Sequence, residues 1–430
     1  MNDRGTVRRL RVCVCTSGEG IQEPRAPRHA AWLAQFNEAI DVIFVDSAPF
    51  GTARRPVKVF ESLGNMTWRT HYYASRSSGV ARLLRDRITQ AIARSAFRFI
   101  GTLTPSALST HACRLERILE DCAADVYLAH NIETLLPAYR VSRRSGGLTM
   151  FDSMEFYSDM GDSQTPQERD LINAIERECL PQCALVLASS DQVADELAKE
   201  YTIERPLPLY NVPEVEKTIA QKPMRGFELY WRNSVVGLGQ RGLDEALVAL
   251  SQLDGEEITL HLQGRLPLDG GAALKRRIAA LELDNRVFFH APYSPENAVK
   301  EAAQHTVGLC LERRGCRNHD LTVSNKIFDY HMAGLVSIAS DLPGLRGVIK
   351  RSCGGLLFEP GSAEDLSAKI RSLYHDQEAL QRYSTNAREF ALREGNRDVE
   401  RTKFCDAFRE ACRDRVSWPS EDCYRSFKAV

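Results

Sequence analysis

Short apolar runs of strand length recur along this chain, and most precede a stretch whose apolar residues return every three to four positions. In the first half the runs are RVCVCT (11–16), DVIFVD (41–46), DVYLAH (125–130), LTMFDS (148–153) and ALVLAS (184–189). After residue 226 come FELYW, ITLHLQG, RVFFHA, HTVGLCL, LVSIAS and GGLLFEP. Helical periodicity marks 166–180, 190–201, 241–252, 270–281 and 362–376. Strands alternating with helices predict parallel sheets covered by helices on both faces. The runs outnumber one comfortable sheet, which predicts two α/β domains. RPLPLYNVPEVEKT (205–218) reads as the hinge, because three prolines in nine residues resist both helix and central strand. The expected boundaries are 1–212 and 213–395, with a helical segment, 396–430, that can cross back to the first domain. The stretch 52–118 is arginine-rich and partly helical, without a clean amphipathic pattern.

Composition narrows the class. A chain of 430 residues with 43% hydrophobic and 26% charged residues can build real cores. The net charge of −1 hides an asymmetry: the first 120 residues hold 18 Arg and Lys against 10 Asp and Glu, the rest 38 against 47. The basic portion suits an anionic surface or substrate, or is a solvated face. The 12 cysteines are scattered without metal-site spacing, as expected of buried free thiols in a reducing compartment. No apolar run approaches the roughly 20 residues needed to span a bilayer, and RRLRVCVCTSG turns polar too soon for a signal peptide. A cytoplasmic location is expected.

Ligands of open parallel sheets gather where strand ends run into helix starts, so a cleft between two such domains is the expected site. SNKIFDYHMAG (324–334) is the loaded stretch there. Ser324 reads as an N-cap, Ile327, Phe328 and Met332 as the buried stripe, and Lys326 and Asp329 as neighbours on the other face. A lysine in the first turn opposes the helix dipole. An anionic ligand would supply the missing negative charge, and Asp329 would accept hydrogen bonds from ribose hydroxyls. GLGQRG (237–242) lacks the strand spacing and the acidic partner of a dinucleotide fingerprint. It reads either as a glycine-rich turn or as a supple loop bringing Arg241 and amides to a helix start. ASDLPGLRGVI adds a third such start near Gly344. Together they read as a nucleotide-diphosphate site. No HExxH, clustered His/Cys set, nucleophile elbow or Walker loop is present, so no metal site, cofactor or nucleic-acid partner is expected.

SNKIFDYHMAGLVSIASDLPGLRGVI followed by GGLLFEPGSAEDLSAKI resembles the donor domain of GT-B glycosyltransferases of the retaining family-4 type. LYWRNSVVGLGQRGLDEAL is similar to their phosphate loop, and DVYLAHNIETLLPAYRVSRRSGGLTMFDSMEFY to their first-domain segment. The resemblance implies two Rossmann-like (GT-B) domains with parallel sheets facing across a cleft. It also assigns roles. Arg241 and Lys326 would face the donor diphosphate, with Asn233, Gly239, Ser324, Asn325 and Gly344 around it and Asp329 on the ribose. His130 would reach toward the donor sugar and acceptor. Asp152 and Glu155 would lie on the acceptor side, and Gly18 and Gly20 would form the glycine loop after the first strand. Read without the resemblance, His130 is a structural histidine, and Asp152 and Glu155 are a helix cap and a surface charge. His29 and His331 read as structural. The chain departs from the family at Leu321, Arg232 and Met154, where glutamate, glycine and histidine are usual.

The implied activity is metal-independent sugar transfer from a nucleotide-diphosphate sugar to a hydroxyl acceptor with retained configuration, in polysaccharide or glycolipid biosynthesis. The acceptor would be a glycan, a lipid-linked or a small molecule. A nucleotide-sugar epimerase and a non-catalytic nucleotide-sugar-binding relative are the alternatives. Seven arginines between Arg69 and Arg98 face one acid, Asp86, with apolar residues interleaved, which suggests peripheral contact with an anionic inner-membrane surface.

Overall fold

The computed structural model describes residues 9–19, 24–52, 60, 62–73, 80–110, 112–219, 226–239 and 241–415. They form two compact units. The first comprises the described residues to Ala188, 194–208 and those from Arg401; the second comprises Ser189–Val193 and Leu209–Glu400.

The first unit carries seven parallel strands: β1 (Leu10–Thr16), β2 (Ile40–Pro49), β3 (Met66–Tyr73), β4 (Val126–His130), β5 (Leu148–Ser153), β6 (Leu185–Ala188) and β7 (Leu207–Pro208). Their order is β3-β2-β1-β4-β5-β6-β7. β4 is buried at all five positions and β1 at six of seven. Strands covered on both faces read as unbroken apolar runs, which is why they were legible. β3 was not. Its sequence MTWRTHYY lies at the sheet edge and is only partly buried.

The second unit holds six parallel strands: β8 (Phe227–Val235), β9 (Ile258–Arg265), β10 (Val287–His290), β11 (Val307–Cys310), β12 (Val336–Ser340) and β13 (Gly355–Phe358). The order is β10-β9-β8-β11-β12-β13. One core cluster takes Phe227, Leu229, Trp231 and Leu260 from the strands, and the other takes Tyr230 with Ile327, Phe328, Tyr330 and Met332 of the helix Lys326–Ala333. The expected helices appear at Pro166–Cys179, Asp191–Tyr201, Leu243–Ser251, Ala272–Ala280 and Ala363–His375. Ten cysteines among the described residues are free, with Cys13 and Cys15 buried in β1.

The unassigned stretch contains a helix, Val80–Ile100, that buries only Asp86 and Ala93. Val80, Leu84, Ile88, Ile92, Phe99 and Ile100 are all more than half exposed. At about 100° per residue, Leu84, Ile88, Ile92 and Phe99 fall within a sector of roughly 80°. The amphipathic pattern missing from the sequence reading is therefore present. It was hidden because exposed Arg85, Arg87 and Arg98 interrupt the stripe in sequence while flanking it in space. Among the described residues no helix is long and apolar enough to cross a membrane.

β8 leaves register with β9 between Arg232 and Val235. Gly264 makes this possible: its φ is +149°, and a Cβ there would lie 1.9 Å from Asn233 O. Gly264→Ala therefore forces strand and loop apart. A loss of about 1–3 kcal/mol is expected in urea unfolding, as for overpacked cores; unchanged stability would show that the bulge is not held by this contact.

Candidate functional site

In the second unit β8 and β11 are neighbours at the point where strand order reverses, so the loops leaving their carboxyl ends lie side by side. The loop after β8 is pressed against the end of β11. The Gly242 amide donates to Leu311 O at 2.8 Å, and a Cβ on Gly242 would lie 3.0 Å from Leu311 Cβ. Arg241 precedes it with a left-handed φ of 48°, and Gly239 has φ 76°. The Arg241 guanidinium forms an ion pair with Glu312, two residues past β11. Lys326 approaches the same carboxylate, with Nζ 3.6 Å from Oε1. Two cations anticipated from sequence thus converge on one anion that the sequence reading missed. Burial, and then the Arg241 charge, push the Lys326 ammonium down from 10.5 to about 7. Its place at a helix N-terminus acts in the same direction.

Two expectations for this helix are corrected. Ser324 is not its N-cap: the helix starts at Lys326 after Asn325, without a side-chain cap, and the Ser324 hydroxyl lies 3.4 Å from Lys326 Nζ instead. Asp329 does not pair with Lys326. It accepts from Arg232, which also donates to the Tyr293 hydroxyl. Arg232 occupies the position where the resemblance expects glycine, and its length lets it reach Asp329 across the strand end. Burial raises the Asp329 carboxyl above its ordinary value while Arg232 opposes that shift. Asp329 is therefore held by a cation of its own chain.

The other residues expected on the donor side are spread around this core. Asn233 donates to Val235 O at 3.0 Å within the β8 bulge. Asn325 is exposed. Gly344 sits in the first turn of the helix Pro343–Ser352, where a Cβ would lie 2.3 Å from Thr322 O, so close packing alone requires glycine there. His331 is fully buried, and burial lowers it to about 3. It is structural.

The first unit has its own switch point between β1 and β4. Thr16 Oγ1 donates to Asn131 Oδ1 at 2.8 Å, Ser17 Oγ to Glu133 Oε2 at 3.3 Å, and the Gly18 amide to Thr16 Oγ1 at 3.4 Å. These bonds tie the glycine loop to the start of the helix Ile132–Ser145, with Asn131 at φ 70°. Gly20 lies outside the described residues. Beneath this loop sits a buried network. Arg25 donates to both Asp152 oxygens, Nε to Oδ2 at 2.6 Å and Nη2 to Oδ1 at 2.8 Å. His130 Nδ1 and His29 Nδ1 lie 3.1 and 3.6 Å from Oδ2, and His29 stacks on Phe404 with ring centroids 4.6 Å apart.

Burial alone would raise the Asp152 carboxyl, but Arg25 and then the histidines hold it well below the usual range. Burial keeps His29 neutral by lowering it. His130 and Asp152 are both fully buried, and Asp152 lies within β5 and caps no helix. Glu155 is half-buried, and its carbonyl accepts from Ser153 Oγ at 2.9 Å.

Histidine and carboxylate donors also gather where no metal-site spacing is present in the sequence. Among the described residues, His29, His130 and Asp152 form one such group, and Glu228, His261 and His305 another, with ligand atoms within 4.8 Å of one another. In the first, Arg25 already engages both carboxylate oxygens with its positive charge, an arrangement that disfavours a metal ion.

Residues 238–390 match the family model described as glycosyl transferases group 1. No curated protein matches the chain by sequence. Among solved structures the chain is similar to sucrose-phosphate synthase of Thermosynechococcus elongatus, at 12% identity, TM-score 0.69, covering 94% of this chain and 100% of that one. It is similar to Anabaena HepE in complex with UDP, at 13% identity, TM-score 0.66, with 93% and 100% covered. A third is the lipopolysaccharide outer core galactosyltransferase WaaB, at 14% identity, TM-score 0.63, with 93% of this chain and 99% of that one covered. The fold is that of GT-B glycosyltransferases.

The Arg232–Asp329 pair yields a direct test. Arg232→Met or Asp329→Asn alone strands a buried charge and is expected to cost about 3–5 kcal/mol. The double variant should recover roughly 1–3 kcal/mol of the summed loss in urea unfolding, because the two charges share one interaction. Strict additivity would show that the pair contributes nothing.

Proposed function

We propose that this chain, a glycosyltransferase by its group 1 domain and its GT-B fold, moves a sugar from a nucleotide-diphosphate sugar to a hydroxyl acceptor with retained configuration. The observation that carries the reading is the convergence of Arg241 and Lys326 on Glu312 at the switch point of the second sheet. A donor diphosphate competes with Glu312 for these two cations. As the glycosidic bond breaks, negative charge grows on the leaving phosphate, and fixed cations beside helix amides stabilise that charge more than the ground state. Arg241 and Lys326 fill the role a divalent ion would otherwise have. Asp329, oriented by Arg232, accepts from the ribose. The leaving phosphate takes the proton of the attacking hydroxyl. His130 is a positioning residue that, with Asp152, supports Asn131 and the Ser17–Gly18 loop. UDP binding by HepE makes UDP-sugars the first donors to try.

Incubation with a panel of nucleotide sugars tests the activity. Slow release of free nucleotide is expected; isomerised sugar would indicate an epimerase, and binding without turnover a non-catalytic relative. Lys326 adds a sharper readout. Its folded value of about 7 lies below the ordinary 10.5, and a bound diphosphate favours the charged form and raises it. Donor binding at pH 8 should therefore take up a proton, and affinity should fall as pH rises above about 7. Calorimetry in buffers of different ionisation enthalpy measures the uptake, since the donor's phosphodiester groups do not titrate there. Lys326→Arg should abolish it. Binding with no proton uptake in the parent protein would remove Lys326 from the diphosphate site.

The Val80–Ile100 helix supports a lipid-linked acceptor in glycolipid or polysaccharide assembly. Its exposed stripe of Leu84, Ile88, Ile92 and Phe99, flanked by Arg85, Arg87 and Arg98, fits an anionic bilayer surface. Each arginine contributes about 1 kcal/mol at most, so binding is salt-sensitive. Sedimentation with anionic vesicles should pellet the protein at low salt and release it at high salt. Replacing Leu84, Ile88 and Ile92 by serine should abolish pelleting. An absence of pelleting at low salt would leave a soluble enzyme with a soluble acceptor.

A further inference from the structure

Three histidines and a glutamate meet on one face of the second sheet, at the β10 edge. Register sets them there. Glu228 of β8 pairs with Thr259 of β9, Tyr230 with His261, and His261 in turn with Phe288 of β10; two residues on, Gln263 pairs with His290. Side chains two residues apart share a face, so Glu228, Tyr230, Thr259, His261, Phe288 and His290 point the same way. His305 joins them from just before β11, its ring stacked on Tyr230 with centroids 4.5 Å apart. The opposite face of the same strands carries the apolar core.

The donor atoms are close enough to share protons. His261 Nδ1 lies 2.8 Å from His290 Nε2, and His305 Nδ1 lies 3.1 Å from Glu228 Oε2. A nitrogen–nitrogen contact of that length needs a proton on one atom and a lone pair on the other, so the two rings cannot both be protonated at it. The His261 ring lies between the others, with centroids 4.7 Å from His305 and 5.1 Å from His290. The other His261 nitrogen, Nε2, is 3.1 Å from Thr259 Oγ1. That contact fixes the ring as the outer partner of a metal-bound histidine usually does. None of the four residues is fully enclosed, which leaves a path from solvent.

We infer that Glu228, His261, His290 and His305 form a site for a borderline divalent cation of the zinc class, in which one ion replaces the shared protons. Imidazole and carboxylate are its preferred donors. A tetrahedral ion with bonds of about 2.0–2.1 Å places its ligand atoms roughly 3.3–3.5 Å apart; here Glu228, His261 and His305 hold theirs within 4.8 Å of one another, with 3.1 Å between His305 and Glu228, and His290 lies 2.8 Å from His261. Binding would draw the four donors to those separations by rotation of their side chains. The ion would tie β8, β9, the edge strand β10 and the turn before β11 together. It is separate from the Arg241–Glu312–Lys326 group and does not depend on the sugar-transfer reading.

The test is titration of the full-length, chelator-stripped protein with Zn²⁺ against a chromophoric competitor, and in parallel with Co²⁺ by absorption. One tight equivalent is expected, with tetrahedral Co²⁺ bands and no thiolate charge-transfer band. Zn²⁺ should raise the melting temperature by mass action. His261→Ala should lose the equivalent, the bands and the shift; Glu228→Gln, which keeps shape and volume, should weaken binding at least tenfold; Cys353→Ser should change nothing. Three results would overturn the site: no binding at micromolar Zn²⁺, an equivalent retained by both His261→Ala and Glu228→Gln, or a thiolate band assigning the ion to cysteine.

Discussion

Two cations held against one carboxylate organise the switch point of the second sheet. Arg241 comes from the loop after β8, Lys326 from the first turn of a later helix, and Glu312 from the end of β11. Like charges brought that close repel unless an anion lies between them. Glu312 supplies that anion between Arg241 and Lys326. The parallel sheet makes the arrangement possible, because reversal of strand order sets the β8 and β11 loops side by side. A second buried pair, Arg232 with Asp329, secures the other end of the same helix turn.

The first unit repeats the architecture with a different chemistry. At its switch point the loops are bound by short side-chain hydrogen bonds, and the charge lies underneath, in Asp152. Enclosure explains why Asp152 is so tightly matched: a buried carboxylate needs both a cation and hydrogen bonds. Arg25 supplies two bonds, and the histidines crowd the same oxygen. His29 belongs to this network although its sequence context offered no sign of it, and Phe404, far along the chain, completes its packing.

Much of the fold was legible from the sequence, and the reason is physical. Strands buried on both faces read as unbroken apolar runs, and their alternation with periodic helices admits few architectures. The edge strand β3 and the two-residue β7 lack that signature. Within the site, Lys326 was legible because a lysine in a first turn contradicts the helix dipole and so demands an explanation. Glu312 was not, since an acid after a strand is unremarkable until the fold brings two cations to it. Asp329 was assigned to the wrong neighbour because helical spacing points to Lys326, whereas Arg232 is 97 residues away in sequence. The histidines on β9, β10 and the turn before β11 likewise show no local spacing. Sequence periodicity reports burial well and reports long-range charge pairing hardly at all.

The backbone at Arg241 carries a consequence of its own. A residue with a side chain at φ 48° is held in a conformation that costs about 1–3 kcal/mol, in a loop where Gly239 and Gly242 bear no such penalty. Its side chain is anchored by the Glu312 carboxylate, and the next peptide by the Gly242 amide bond to Leu311 O. The ion pair therefore joins a strained peptide to the end of β11 through its side chain. Charge and loop shape thus meet at one residue, so a group that captures Arg241 acts on a backbone already strained there.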